Sequence, residues 1–322
     1  MSNATSDLRS LPFDQYSRQM LTQLLVQSCF RPRLKGLHKR LKIVDIGGHK
    51  GHTQDFLAKD DVTILDVYDE TYPDYVKGDG TNLDFADNQF DVAVSFDTFE
   101  HIPAPQRDAF VREAVRVAKY GCIMTAPFDA GHGTVPYAEA AADKVYQAVK
   151  GEEHPWLKEH LAYGTPTLPA LERCVAEAGW HLAMLPTNNL ALWLITQDLM
   201  FNAAGFPADI AEVVDVSRFY NDHLAALEAV PGTPYRYVAV ISTDKTITDA
   251  ATAFFEELRS PHADTDNTLT DYLTAVAMAY GTMLTRLHKD VAYLQARETH
   301  LQNEYDKLAA EHQASQQPPA QD

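Results

Sequence analysis

The chain has 322 residues, 45% of them hydrophobic and 22% charged, which is enough for one sizeable core with an appendage. Its formal net charge of −18 repels phosphate backbones and anionic lipid, so it argues against a nucleic-acid substrate or a membrane-surface role and leaves a neutral glycan or a small metabolite open. Cys29, Cys122 and Cys174 form no CxxC pair or disulfide framework, and the polar N-terminus has no basic region leading into an apolar run, so a soluble cytoplasmic protein is expected.

Residues 1–11 read as a disordered start. Residues 12–30 carry Tyr16, Met20, Leu24 and Leu25 at helical spacing. A first strand over 42–46 runs into the turn Gly47-Gly48, and 52–59 reads as a helix. Strands follow at 62–67, 75–78 and 90–96, then a helix over 105–119 and a strand over 122–126 stopped by Pro127. Strands alternating with helices predict βαβ units and a parallel sheet. Residues 127–166 show no clean period and read as an inserted lid or binding loop. A helix over 168–178 and a strand over 180–185 resume the pattern. A second, mostly helical insertion spans 187–233. Its apolar start is interrupted by Gln197, Asp198 and Asn202, and no membrane span is expected. Residues 235–242 form the last strand, so the domain is read as 12–243.

The tail differs in kind. Leu273, Tyr280, Leu287, Leu294, Leu301 and Leu308 recur every seven residues, with Ala277, Leu284, Val291, Glu298, Tyr305 and His312 at the a positions. This predicts a coiled coil over 268–314 and a homodimer through it, although a heptad stripe also suits a helix folded back on its own domain. Residues 315–322 are Gln- and Pro-rich and read as disordered.

The chemistry is concentrated at strand ends. In Ile43-Val44-Asp45-Ile46-Gly47-Gly48-His49-Lys50-Gly51 an apolar strand feeds a glycine turn at the carboxyl edge of a parallel sheet, where such folds bind ligands. Asp66 ends the next strand and can accept ribose hydroxyls from any adenosine cofactor, with Asp69 and Glu70 as rival assignments. Gly78-Asp79-Gly80-Thr81-Asn82-Leu83-Asp84-Phe85-Ala86-Asp87-Asn88-Gln89-Phe90-Asp91-Val92 follows, then Phe96-Asp97-Thr98-Phe99-Glu100-His101-Ile102. Taken alone, Asp79 is equally a turn residue before Gly80.

In this order the segments resemble class I S-adenosylmethionine-dependent methyltransferases, close to the ubiquinone and menaquinone methyltransferase subgroup. Asp45, Gly47 and Gly51 match the family's D-x-G-x-G-x-G anchors, while His49 replaces the middle glycine and Gly48 sits one place early. The stretch 78–95 is similar to G-D-x-x-x-L-x-F-x-D-x-x-F-D-V-V-x-S, and 99–102 to L-E-H-I. The resemblance covers 43–126 well, and 167–186 and 235–242 by pattern. It implies an α/β fold: a Rossmann-like, seven-stranded, mostly parallel sheet with helical insertions, followed by the coiled-coil helix. It implies S-adenosyl-L-methionine as cofactor, with Asp45, Gly47, Gly48, Gly51, Asp66, Asp79, Gly80 and Phe96 around it and Asp79 at the adenine amino group.

For a hydroxyl acceptor a base helps, and His101 is the candidate catalytic residue; packing at the strand end is its alternative role. His132, His154 and His160, with Glu152 and Glu153, match no tight ligand spacing, so they read as surface or lid residues and no metal is expected. Trp156 and Tyr163 suit the lining of a sugar or apolar acceptor and equally half-buried lid anchors, while Tyr16 and Arg18 suit either closure over the methionine carboxylate or an ordinary helix with one exposed arginine. A methyltransferase domain followed by a coiled coil resembles arrangements in surface-polysaccharide assembly, which implies a glycan acceptor; a quinone-like metabolite is the other possibility. An NAD-dependent oxidoreductase, which His49 disfavours, and a non-catalytic scaffold are the competing classes.

Overall fold

The computed structural model describes residues 7–34, 39–49, 51–203, 215–224, 233–259 and 268–315. Chain contacts divide the protein into two units: 1–205 with 215–265, and 206–214 with 266–322.

The first unit is built on seven strands: β1 (Lys42–Ile46), β2 (Asp61–Asp66), β3 (Tyr75–Lys77), β4 (Val92–Phe96), β5 (Cys122–Pro127), β6 (His181–Asn189) and β7 (Pro234–Ser242). Their order is β3-β2-β1-β4-β5-β7-β6. Strands β1 to β5 pair in parallel, and β7 lies antiparallel between β5 and β6. The chain steps outward from β1 to β3 and then crosses back to β4. The strand order therefore reverses between β1 and β4, and their carboxyl ends flank the place where open α/β sheets bind ligands. The antiparallel β7 also sets this sheet apart from the 3-2-1-4-5-6 dinucleotide-binding order.

Its helices are α1 (Phe13–Leu25), α2 (Thr53–Phe56), α3 (Arg107–Val117), α4 (Thr134–Lys150), α5 (Pro155–Tyr163), α6 (Leu168–Glu177), α7 (Leu190–Ala203), α8 (Val216–Phe219) and α9 (Lys245–Arg259). The strands are apolar runs because both faces of the sheet are covered. On one face Val44, Ile46, Leu65, Ala93, Met124 and Ile241 pack with Phe110 and Val115 of α3 and Leu171 and Val175 of α6. On the other, Ile43, Ile64, Val94, Ile123 and Val240 pack with Leu21 and Leu25 of α1 and with Ile247, Ala251 and Phe255 of α9.

Several elements differ from the sequence reading. Helix α1 continues over Val26–Phe30 as a wider π turn, and α2 is a single turn rather than the longer helix over 52–59. Of the N-terminus read as disordered, residues 1–6 lie outside the described residues, while Leu8–Ser10 forms a 3-10 turn. That turn is held because Asn221 Nδ2 donates to the carbonyls of Arg9 and Leu11. The expected domain end at 243 is followed by α9, whose Ile247 and Ala251 are fully buried.

The first insertion is helical. Its α4 hides from a periodicity count because the buried face, Val135, Ala138, Glu139, Ala142 and Asp143, contains two acids. The base of the insertion is tied by Asp129. Its backbone pairs with Pro166 and Leu168, and its carboxylate accepts N–H groups from Gly131, Gly133, Thr134 and Val135. Helices α4 and α7 share a third apolar cluster with Phe13, Leu157, Trp193 and Tyr235. Parts of the second insertion, 204–214 and 225–232, lie outside the described residues.

The second unit contains α10 (Thr268–Ser315), 48 residues and so about 72 Å long. Leu284, Leu287, Val291, Leu294, Leu301, Tyr305 and Leu308 are exposed along it. The disordered tail expected at 315–322 falls, beyond Ser315, outside the described residues. Among the described residues no helix is long and apolar enough to cross a membrane.

If α9 belongs to the core, Ile247→Ala should cost about 2–5 kcal/mol. Urea denaturation should show the midpoint falling with the slope unchanged.

Candidate functional site

The carboxyl end of β1 turns on Gly47, whose φ of +83° suits glycine. A side chain there would overlap Thr98, which follows β4, and one at Gly48 would overlap the Asp45 carboxylate. The turn is pinned to β2: Gly47 N–H donates to the Leu65 carbonyl at 2.7 Å, and Gly51 N–H donates to Gly48 at 2.9 Å. Backbone rather than side chain therefore lines this edge.

Asp45 is wholly buried beneath the turn. Its Oδ2 accepts from Thr53 Oγ1, to which Gln19 Nε2 donates in turn, and its Oδ1 has no partner. Burial pushes the carboxyl up to about 7; Thr53 and the charge of Arg18 pull it down, and Asp66 pushes it up further.

Asp66 ends β2 and is buried. His49 N–H donates to its Oδ2 at 3.0 Å and Val67 N–H to its Oδ1 at 2.6 Å. So His49, the departure from the glycine pattern, fixes Asp66 through its backbone. Its ring lies 3.5 Å from Glu70 and packs on Tyr68. Asp79 is exposed in a tight turn, with Oδ1 accepting both the N–H and the hydroxyl of Thr81 at 2.8 Å. Gly80 is buried because a Cβ would meet Phe110 and Ile46 at 2.6 and 2.9 Å.

The end of β4 carries the main electrostatic knot. Asp97 adopts φ +47° and is clamped between Arg18 of α1 and Arg236 of β7, with Arg236 Nε donating to Oδ1 at 2.8 Å. Burial pushes the Asp97 carboxyl up, but the two guanidinium groups outweigh it and hold it below the usual carboxylate value. Arg18 Nε and Arg236 Nη1 are buried N–H groups without a partner.

Next to this knot lies a chain of imidazoles and carboxylates. His101 Nδ1 is 2.8 Å from Glu159 Oε2, and its Nε2 is 3.2 Å from His160 Nε2. His160 Nδ1 is 2.9 Å from Glu139 Oε1, which also accepts the Tyr235 hydroxyl at 3.0 Å. Glu100 is buried with its Oε1 4.0 Å from His160 Nε2. Burial and the neighbouring Asp97 push Glu100 up to about 8, against the pull of His160. Burial, then His160, holds His101 below the usual histidine value; for His160 burial is outweighed by Glu139 and Glu100, and its pKa is raised.

The structure thus brings together the strand-end residues Asp45, Gly47, Gly48, Gly51, Asp66 and His101. Phe96 is buried in the sheet core, so its ring is packing and does not line an open surface. His160 is corrected: read as a surface or lid residue, it is buried, because α5 turns it inward onto Glu139. His132 is exposed and His154 caps α5. Tyr16 packs edge-on against Phe56, and Trp156 is exposed with its ring 5.4 Å from that of His101. Sequence reasoning missed Asp97, Glu100, Glu139, Glu159, Tyr235 and Arg236. Only Arg236, a cation inside an otherwise apolar strand, gave a local sign.

Comparison with known proteins bears on this edge of the sheet. Residues 44–125, about a quarter of the chain, match the family described as methyltransferase domain. No curated protein matches the chain. Among solved structures, the chain is similar to the YcgJ protein of Bacillus subtilis at 15% identity and a TM-score of 0.39, covering 69% of this chain and 95% of that one. It is similar to a SAM-dependent methyltransferase from Archaeoglobus fulgidus at 12% and 0.39, covering 70% and 93%. It is also similar to Haemonchus contortus phosphoethanolamine N-methyltransferase 2 in complex with S-adenosyl-L-methionine at 16% and 0.40, covering 70% and 53%. These likenesses are too distant to carry a reading of substrate. The matched segment holds every strand end described here from Asp45 to His101, and it supports an enzyme of the S-adenosylmethionine-dependent methyltransferase kind with S-adenosylmethionine as cofactor.

Asp45 gives a pH dependence of known sign. An unfolded aspartate titrates near about 3.9, whereas the folded group titrates at about 7, so the folded state holds the proton more tightly. This contribution is complete below the unfolded value and is lost as pH rises through 7. Urea midpoints of Asp45→Asn relative to the native protein should therefore climb between pH 5 and pH 8.

Proposed function

We propose that this enzyme methylates a hydroxyl oxygen of a sugar-bearing acceptor. The observation that carries this reading is the exposed Trp156 set against His101 at the end of β4. A sugar ring offers apolar C–H faces for an indole and hydroxyls for the polar groups beside it. The acidic surface agrees with an uncharged acceptor.

The residues at the sheet edge fit the cofactor. The glycine turn leaves backbone where a Cβ would intrude, and buried Asp45 keeps an unpartnered Oδ1 able to accept a hydrogen bond. When bound, the sulfonium supplies a methyl group already activated for transfer. The protein's work is then alignment. Asp66 holds one backbone N–H on each oxygen and retains lone pairs for two ribose hydroxyls. Asp79 accepts the adenine amino group, beside the backbone of Gly80. Gly47, Gly48 and Gly51 admit the ligand close to the main chain. Arg18 offers its unpartnered Nε to the methionine carboxylate. Phe96 acts as a wall from behind the strand. On the acceptor side we assign His101, with Glu100 and His160 against it, to the oxygen that gives up a proton as it is methylated.

Calorimetry with S-adenosylhomocysteine tests the cofactor half. Asp66→Ala should weaken binding about 10-fold or more, since it removes charge-assisted hydrogen bonds. Equal affinity in Asp66→Ala and in Asp79→Ala would overturn the assignment. For the acceptor half, labelled cofactor is offered to sugar and quinone panels. His101→Gln should lower kcat with cofactor affinity unchanged, and Trp156→Ala should raise the acceptor KM. Turnover of quinones alone would replace the sugar reading with the small-metabolite one.

We further propose that α10 pairs with a second copy of this chain, since its leucines recur at heptad spacing and are exposed. Light scattering should give a dimer mass for the native chain and a monomer mass for the double variant Leu294→Glu, Leu301→Glu.

A further inference from the structure

We propose that Glu100, His101 and His160 form a binding site for a divalent transition-metal ion of the zinc type. It goes beyond methyl transfer, and while the ion is bound His101 Nε2 is its ligand and not a proton acceptor. One ligand atom from each residue lies within 4.8 Å of the other two.

The argument starts from the two imidazoles. Each places Nδ1 against a carboxylate, Glu159 for His101 and Glu139 for His160, at 2.8 and 2.9 Å. An ionised carboxylate only accepts, so each Nδ1 carries a hydrogen toward its carboxylate and Nε2 is the nitrogen of each ring left to meet a metal. Those two Nε2 atoms face each other at 3.2 Å. Without a metal one Nε2 carries a proton shared with the other; a metal ion would take the place of that proton. A tetrahedral ion with metal–nitrogen bonds of about 2.0–2.1 Å separates its two nitrogen ligands by about 3.3 Å. The observed 3.2 Å is close to that separation.

The surroundings agree. Glu100 is 1% exposed, yet its Oε2 has no partner, and Glu139 is fully buried with an unpartnered Oε2. Each of these buried carboxyls thus keeps an oxygen free to ligate a cation. Arg236 is bound to Asp97, and Arg107 donates to the Glu100 carbonyl rather than its carboxyl. A carboxylate behind each ligating histidine is also the arrangement that fixes the ring and raises its basicity toward a metal. Three protein ligands leave a fourth position for water or an oxygen of the acceptor. The donor set, two imidazoles and a carboxylate, suits zinc and its first-row neighbours better than magnesium or calcium. Chain spacing concealed this site because His101 follows β4 and His160 sits on α5, 59 residues apart.

The test uses the full chain, stripped with chelator and titrated with zinc chloride by calorimetry. Cobalt(II) serves as a second probe through its visible spectrum. One saturable equivalent is expected, with the absorption of tetrahedral cobalt. Glu100→Gln, nearly isosteric, and His160→Ala should each weaken binding about 100-fold or more, and Glu139→Gln about 10- to 100-fold. Circular dichroism keeps the result interpretable if His160→Ala does not fold, since Glu100→Gln then decides. Absence of saturable binding to the native chain, or unchanged binding in Glu100→Gln, overturns the proposal. S-adenosylhomocysteine binding by the stripped protein separates this outcome from a failure of the methyltransferase reading.

Discussion

The site depends on one buried ion triad. Asp97 stands at the turn out of β4, in a left-handed conformation uncommon for a residue with a side chain, and is held by Arg18 and Arg236. Three elements distant in sequence meet there: the N-terminal helix, the β4 edge and the antiparallel strand. Burying such charges is costly, and removing one partner strands the others, with losses of about 3–5 kcal/mol. The contribution of the triad is best understood as position. It sets α1 over the glycine turn, and it orients the segment 98–101 that carries Glu100 and His101.

From that knot two regions of different chemistry extend. On one side the turn after β1 offers main-chain atoms, Asp45 and Asp66, a setting for a cationic nucleoside. On the other, the imidazoles and Trp156 offer proton-accepting nitrogens and an aromatic face. The strand reversal between β1 and β4 sets side by side the carboxyl ends from which both regions start. The division of labour follows the chain: the sheet supplies the first region, and the insertion supplies most of the second.

What the sequence disclosed divides along the same line. The strands were legible because they are apolar runs ended by Asp45, Asp66 and Pro127, and local rules govern such runs. The cofactor edge was legible for the same reason, since its residues lie next to one another within each turn. Helix α4 was not, because Glu139 and Asp143 occupy its buried face and break the apolar period. The partnership of His101 with His160 was not legible either, since the tertiary fold alone joins them. The fate of Phe96 also turned on the fold: adjacency to the edge is visible in sequence, but the side on which a strand residue points depends on register.

Asp129 has a further consequence. It fastens both ends of the excursion that leaves after β5 and returns before α6, so 130–166 is bracketed at its base. Glu139, Trp156, Glu159 and His160 all travel on it. Replacing that segment would therefore change those four residues together and leave Asp45 and Asp66, on the strands, where they are.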